Sequence, residues 1–205
     1  MNYILSIKCL YKKNFPPLIS LLNFTIMAEY SFKVIVIGPP AVGKSSLIRR
    51  FIENKFSMKY KFTIGVDFST KDVKYKSDKI AKLTIWDIGG QDRFKTLRRN
   101  FYDGTQGALV VFDLSRAQTF PRMKDWISNL RQTIEKNVPI IIIGNKTDLI
   151  SELGQVIDQN EVNQFAEKVG AFLIKTSAKT GENVEEAFVK LTQKIIKNIS
   201  NSLLT

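Results

Sequence analysis

The sequence contains no histidine and only one cysteine, Cys9. Without histidine, imidazole acid–base catalysis and histidine metal ligation are excluded. A single cysteine excludes an internal disulfide and a cysteine-based metal cluster, which fits a reducing compartment. Any chemistry is therefore left to other side chains and to backbone groups.

The first 27 residues also lack a long hydrophobic run. Their apolar stretch, at 18–27, is about half as long as a membrane-spanning helix, and no small-residue cleavage pattern follows it, as a signal peptide requires. The segment is either an extension that lies on a membrane or packs on the domain, or a stretch outside the native product because translation starts at Met27. We favour the start at Met27 because 27–32 lead directly into the first predicted strand. The predicted units are an extension at 1–27, a domain at 28–199 and a tail at 200–205.

The charge is unbalanced. Lysine and arginine number 31 against 19 acidic residues, a formal net charge of +12. Such a charge attracts polyanions, including nucleic acid and anionic membranes. The lysines are spread along the chain, however, so a solvated basic surface is favoured over a nucleic-acid site. With 205 residues and 44% hydrophobic content, one domain with a proper core is expected.

Residues 38–45 read GPPAVGKS, the spacing of a phosphate-binding loop. An apolar, β-branched run precedes them at 32–37, and apolar residues at helical spacing follow. Glycines let backbone N–H groups turn toward an anion, and the helix that starts here points its positive dipole end at the same place. The Lys44 ammonium adds a cation for the phosphates and the Ser45 hydroxyl a Mg²⁺ ligand. The predicted binding residues of this stretch are Gly38, Ala41, Val42, Gly43, Lys44, Ser45 and Ser46.

The rest of the chain alternates strands and helices. Strands are predicted near 32–37, 66–76, 80–87, 108–113, 138–144 and 171–175, and helices near 44–53, 92–101, 118–136, 158–169 and 182–198. This order predicts a three-layer α/β P-loop NTPase fold, with a mostly parallel six-stranded sheet and one antiparallel edge strand. Because ligands sit beyond the carboxyl ends of such strands, the loops after 37, 87, 144 and 175 are expected to meet at one site.

Each of those loops carries a motif. In DIGGQ at 87–91, Asp87 is placed to hold Mg²⁺, Gly90 to offer an N–H to the γ-phosphate and Gln91 to orient an attacking water. In NKTD at 145–148, the Asp148 carboxylate can accept two N–H bonds from guanine and thereby reject adenine. In TSAK at 176–179, a backbone N–H is available to the guanine O6.

With these motifs in order, residues 31–199 resemble a small GTPase of the Ras superfamily, most closely the Rab family; TIGVDF at 63–68 resembles the Rab effector loop and 83–94 the second switch. The resemblance implies that Thr63 ligates Mg²⁺ and senses the γ-phosphate, that Tyr60 closes over the phosphates and that Phe56 stacks on guanine. It also implies that Lys146 packs on the other base face and that Asn145 braces the loops. The implied site residues divide into catalytic (Gln91, Lys44, Thr63), metal (Ser45, Thr63, Asp87) and base-binding (Asn145, Lys146, Asp148, Ser177, Ala178, Lys179).

The resemblance further implies a molecular switch that binds GTP or GDP with Mg²⁺ and hydrolyses GTP slowly to GDP, in membrane traffic or signalling. GTP orders both switch loops and hydrolysis releases them. An exchange factor, a GTPase-activating protein and effectors are the expected partners, and the chain is expected to be a cytoplasmic monomer. No arginine stands at the expected position of a cis arginine finger, so the intrinsic rate should be slow.

The sequence departs from the family at several positions, among them Asp92 in place of the usual glutamate. Pro40 stands where most Ras-like proteins carry glycine, so the alternative function is a GTP- or GDP-binding scaffold with impaired hydrolysis. Ile88 and Gly89 are closer to the Arf style than to Rab. The printed sequence ends without a cysteine for prenylation, so membrane contact is expected to be weak and peripheral, without a prenyl anchor.

Overall fold

Strands and helices alternate along the domain, as the hydrophobic pattern predicts. The computed structural model describes residues 30–58, 62–91, 98–134, 137–154 and 156–202. The strands are β1 (Tyr30–Ile37), β2 (Val66–Lys76), β3 (Lys79–Ile88), β4 (Gly107–Asp113), β5 (Ile140–Asn145) and β6 (Phe172–Thr176). The helices are α1 (Lys44–Glu53), α2 (Arg98–Tyr102), α3 (Thr119–Thr133), α4 (Ile150–Leu153), α5 (Gln159–Lys168) and α6 (Val184–Ser202).

The six strands form one sheet in the order β2-β3-β1-β4-β5-β6. All neighbouring strands are parallel except β2 and β3, which form an antiparallel hairpin at one edge. Ser77 and Asp78 form the turn of that hairpin. The predicted fold class, including the antiparallel edge strand, is confirmed.

Side chains of the central strands alternate between two buried layers. In β1, Val34 and Val36 belong to a core shared with α1 and α6, whereas Ile35 and Ile37 belong to a core shared with α3 and α5. Because both faces of the sheet are covered by helices, the strands are apolar on both sides. This explains why β4 and β5 are buried over their whole length. The result is the predicted three-layer arrangement.

Helix α6 is longer than the sequence predicts. It continues to Ser202 rather than ending near 198. The reason is packing, because Ile196 and Ile199 lie partly buried against the core that α1 and α6 share. The short helix α4 and the 3₁₀ turn before it, Thr147–Leu149, were not predicted either.

Residues 92–97 of the predicted helix at 92–101 lie outside the described residues, and α2 covers its described C-terminal end. The extension at 1–27 and the last three residues of the tail are outside them as well, so the predicted division into units remains a prediction. None of the helices in the described part is long and apolar enough to cross a membrane.

Candidate functional site

The phosphate loop joins the end of β1 to the first turn of α1. Gly43 caps the helix with φ 97°, a left-handed conformation that disfavours other residues. A Cβ at this position would lie 2.4 Å from the Asn145 Nδ2, so close packing also requires glycine. Lys44 is almost completely buried, and its Nζ donates to the carbonyls of Gly38 (3.0 Å) and Pro39 (2.9 Å). The lysine therefore folds back across the loop.

Two hydroxyls and one carboxylate meet beside this lysine. Ser45 is the second residue of α1, Thr63 precedes β2 and Asp87 lies near the end of β3. The Oδ2 of Asp87 accepts from the Ser45 hydroxyl and from the Thr63 hydroxyl (3.2 Å), and the two hydroxyl oxygens are 2.8 Å apart. Three segments distant in sequence thus bring oxygen ligands to one point.

Asp87 is a buried carboxylate that is only half satisfied. Its Oδ1 is buried and has no hydrogen-bond partner in the described part of the chain. Burial raises the pKa of Asp87, and the Ser45 hydrogen bond and the nearby Lys44 ammonium oppose that shift only in part. An orphaned anionic oxygen beside two hydroxyls is the environment that a hard cation such as Mg²⁺ completes. The residues present therefore fit the predicted metal site.

Gly90 brings the segment after β3, the predicted second switch, against the phosphate loop. A Cβ on Gly90 would lie 2.6 Å from the Pro40 nitrogen, 2.7 Å from the Pro39 carbonyl carbon and 2.8 Å from the Lys44 Nζ. Only a residue without a side chain permits this approach. Gln91 follows immediately and lines the same cavity. Pro40 is thus accommodated in the loop, directly against the residue next to Gln91.

Asn145, at the end of β5, joins three loops. Its Nδ2 donates to the Val42 carbonyl in the phosphate loop (2.9 Å). Its Oδ1 accepts from the Thr176 hydroxyl (3.1 Å) and from the Ala178 N–H (3.2 Å) in the loop after β6. The side chain is fully buried, so these bonds are well protected from water. We expect a backbone N–H of the loop after β6 to reach guanine O6. Because the Ala178 N–H already donates to Asn145, this contact remains a prediction.

Asp148, in the segment after β5, lines the same cavity as Asp87. Its Oδ1 accepts from the Ser177 hydroxyl (2.6 Å), and the Lys179 Nζ is 4.0 Å from its Oδ2. Lys146, two residues earlier, has φ 72° and pairs its Nζ with the buried Asp113 at 2.7 Å. The base-side carboxylate is therefore held in a fixed orientation by the protein itself.

Most of these groups line one cavity of about 660 Å³ at the carboxyl ends of the parallel strands, and Ser177 lies behind Asp148. We call one part the phosphate end, defined by Lys44, Ser45, Thr63, Asp87 and Gly90. The other part is the base end, defined by Asn145, Lys146, Asp148, Ser177 and Ala178.

Most of the residues predicted from sequence line this cavity: Ala41, Gly43, Lys44, Ser45, Ser46, Phe56, Thr63, Asp87, Gly90, Gln91, Asn145, Lys146, Asp148, Ala178 and Lys179. Three others support it from behind through their hydrogen bonds or packing: Gly38, Val42 and Ser177. Tyr60 lies outside the described residues.

Sequence reasoning missed three residues that hold the site together. Asp113 ends β4, is fully buried and lies beside Asn145 in the strand register. Arg116 donates to it and to the phosphate loop. Arg50 of α1 donates to the carbonyls of Ala178 and Lys179. The available signal for Asp113 was an acidic residue at the end of an apolar strand, comparable with Asp87 near the end of β3. Nothing local in the sequence marks the two arginines.

Comparison with known proteins agrees with this geometry. A model of the Ras family matches residues 33–197. The Ras-related protein Rab-2B of Dictyostelium discoideum is 38% identical over 174 residues, which cover 85% of this chain and 85% of that protein. The Ras-related protein Rab11A of Lotus japonicus is 39% identical over 176 residues, 86% of this chain and 76% of its own. RABA4b of Arabidopsis thaliana is also 39% identical over 176 residues, 86% of this chain and 77% of its own.

Proposed function

Because the chain belongs to the Ras family, whose members are GTPases that bind GTP and GDP, we propose that it acts as a Rab-like switch in membrane traffic. The observation that carries this proposal is the single cavity in which a phosphate loop, a paired carboxylate for a base and a half-satisfied carboxylate for a cation face one another. Its volume of about 660 Å³ suits a nucleotide.

In the proposed complex, guanine lies at the base end. The Asp148 carboxylate, oriented by Ser177, accepts the two N–H groups of guanine and leaves adenine without partners. Phe56 and the Lys146 stem lie on the two faces of the base, and both residues line the cavity. The triphosphate then follows the loop toward Lys44.

Ser45, Thr63 and Asp87 are the residues that we propose hold Mg²⁺. When bound, Mg²⁺ neutralises negative charge that builds up on the phosphates. No group of three or more histidine, cysteine, aspartate or glutamate residues that could together hold a metal ion occurs in the part of the chain that the structure describes. Hydroxyls and one carboxylate leave room for phosphate oxygens and water as further ligands, a typical arrangement for Mg²⁺.

We propose that Gln91 orients the attacking water and that Lys44 stabilises the phosphate charge. Gly90 lies directly against the phosphate loop, so its N–H is close to where the terminal phosphate of GTP would sit. Loss of that phosphate removes a contact from both Thr63 and Gly90, which is how hydrolysis would release the two switch segments. The intrinsic rate is slow, and an activating protein supplies the missing arginine.

An apolar surface beside the cavity supports a role in binding effectors. Five of the eight large hydrophobic side chains exposed in the described part of the chain lie between residues 56 and 68. The ring of Phe68 meets Trp86 edge-on at 4.5 Å, and Trp86 lies 6.4 Å from Phe101. Exposed apolar surface of this kind marks protein interfaces, and it adjoins the segments that respond to the nucleotide. An exchange factor and an activating protein would use the same segments, and the chain would act as a monomer.

We further propose that the protein is cytoplasmic and contacts membranes only weakly. The net charge of +12 favours anionic surfaces, and one such contact gives reversible binding.

The test is GTP turnover by the purified full chain, after the copurified nucleotide has been removed and identified, beside a Gln91→Leu variant. We expect bound guanine nucleotide, slow Mg²⁺-dependent turnover and a further loss of turnover in the variant. If both proteins retain guanine nucleotide but show equal, negligible turnover, the alternative function applies. The protein would then be a nucleotide-binding scaffold in which Pro40 impairs GTP hydrolysis. Absence of any guanine nucleotide binding would overturn the proposed function.

A further inference from the structure

One arginine outside the sequence motifs holds the outer side of the phosphate loop. Resting on the function proposed above, we propose that Arg116 is a positioning residue for nucleotide binding, which fixes the phosphate loop at Pro40 and Ala41 and connects it to the base end through Asp113. The residue lies in the turn between β4 and α3, 75 positions from Ala41. Its role therefore depends on the fold rather than on a local motif.

Arg116 uses one guanidinium nitrogen for the phosphate loop and another for Asp113. Nη2 donates to the Ala41 carbonyl at 2.8 Å and lies 3.4 Å from the Pro40 carbonyl. Nε donates to the Asp113 Oδ2 at 2.7 Å. A planar guanidinium presents its donors in a fixed fork, so it can bridge a carboxylate and two carbonyls at once. A lysine has a single donor point and lacks this geometry.

The loop needs such support at this position. Ala41 has φ 60°, the left-handed conformation that disfavours residues with a Cβ. Pro40 precedes it. Because the proline ring fixes φ, the Pro40 backbone cannot rotate about that bond to relieve the strain at Ala41. If the phosphates bind to N–H groups of the loop, its carbonyls remain available for hydrogen bonds that fix the loop conformation. Arg116 holds the two carbonyls that flank the strained residue.

Asp113 carries this support to the base end. Its side chain is fully buried, and its Oδ2 also lies 2.7 Å from the Lys146 Nζ. The Ser115 N–H (2.9 Å) and hydroxyl (2.6 Å) donate to its other oxygen. One carboxylate thus joins Lys146 of the base end to an arginine on the phosphate loop. Loss of Arg116 should loosen the phosphate loop and leave Lys146 with its partner.

The experiment measures dissociation of a fluorescent GDP analogue from the full chain, with Mg²⁺, for wild type, Arg116→Ala and Arg116→Lys. We expect release to be at least about tenfold faster in Arg116→Ala, the scale of losing one charge-assisted hydrogen bond. Arg116→Lys should recover little of the loss. Arg131 is the matched control, because it also donates to a carbonyl, that of Val169, and to a side chain, that of Asn137, but away from the cavity. Release from Arg131→Ala should match wild type.

A second substitution separates positioning from a general loss of structure. Glycine accepts φ 60° without strain, so Ala41→Gly should restore most of the slow release when added to Arg116→Ala. The inference is overturned if Arg116→Ala releases GDP at the wild-type rate, or if the double variant releases it as fast as Arg116→Ala alone. If Arg116→Ala does not fold, the same comparison is made with Arg116→Lys. Failure of the wild type to bind GDP would instead overturn the proposed function.

Discussion

The two ends of the cavity differ in how completely the protein satisfies its own polar groups. At the base end, Asn145 makes three buried hydrogen bonds, and Asp148 accepts one from Ser177. At the phosphate end, Asp87 accepts two hydroxyls on one oxygen, while the other is buried without a partner in the described part of the chain. The protein satisfies the buried Asn145 at the base end, whereas the buried Asp87 at the phosphate end retains an oxygen for a cation.

From this difference we infer that the two ends of the cavity have different roles. A satisfied network holds its geometry without a ligand, so we propose that the base end selects the ligand by rejecting bases that do not match. A half-satisfied carboxylate with a raised pKa costs free energy until a cation completes it. We therefore expect changes at the base end to alter which nucleotide binds, and changes at the phosphate end to alter cation binding and hydrolysis.

The largest expected effect is a reversal of base specificity at the base end. In Asp148→Asn, an amide N–H replaces an acceptor and opposes the N–H groups of guanine. We expect the affinity for GDP to fall by about 10⁴-fold and the affinity for xanthosine diphosphate to rise, since xanthine has a carbonyl where guanine has its amino group. Competition binding measures both. Tight binding of the xanthine nucleotide is the control for an intact cavity, and GDP affinity within about tenfold of wild type would contradict our assignment of Asp148.

The fold and most of this end were predictable because each motif is local. NKTD and TSAK each follow an apolar strand, and parallel strands bring their carboxyl ends to one edge. The residues that hold the motifs were not predictable in the same way. Arg50 reaches the Ala178 carbonyl across 128 positions, and Arg116 reaches Ala41 across 75. Such contacts depend on how finished elements pack, and a single sequence carries no local pattern for them.

The ends of helices and strands are also difficult to predict from the sequence alone, because they too depend on packing. The sequence pattern predicts too early an end for α6 because the helix propensity of 199–202 is weak, whereas packing of Ile196 and Ile199 extends the helix. Asp113 is visible in the sequence as an acidic residue at the end of an apolar strand, but only the fold brings Lys146, which follows β5, onto its carboxylate.

The second prediction concerns the close approach at the phosphate end. Gly90→Ala would place a Cβ within 2.6 to 2.8 Å of Pro40, Pro39 and Lys44. The second switch must therefore move away from the loop and carry Gln91 with it. We expect single-turnover GTP hydrolysis to fall by about 10²-fold, the cost of misplacing a reacting group by about 1 Å, while GDP affinity changes little.

Gly170→Ala is the control, because Gly170 lies after α5 with no atom within 4 Å of an added Cβ; unlike Gly90, it has a positive φ, which alanine disfavours. It should lose some stability and keep its turnover. Equal hydrolysis by Gly90→Ala and wild type would show that the approach of Gly90 to the loop has no part in the reaction.

The smallest effect is on stability, and its sign should differ between the two ends. Asn145→Ala removes three buried hydrogen bonds and should lower the free energy of unfolding by about 2 kcal/mol. Asp87→Asn removes a buried charge, and in nucleotide-free protein with a chelator it should raise that free energy by about 1 kcal/mol. Urea unfolding at neutral pH measures both values. Loss of stability in Asp87→Asn would mean that its carboxylate is satisfied without a cation.

The pH dependence of the stability difference between Asp87→Asn and wild type tests whether the buried charge causes that difference. Because burial raises the pKa of Asp87 in the folded protein, the folded state binds a proton more readily than the unfolded state, and wild-type stability falls as pH rises through that pKa. The advantage of Asp87→Asn should therefore be complete above the folded pKa and should disappear as pH falls toward about 3.9, the ordinary value for aspartate. An advantage that does not change with pH would come from packing instead of charge. With saturating Mg²⁺ and GDP the order should reverse, since the cation then binds the wild-type carboxylate more strongly than the amide.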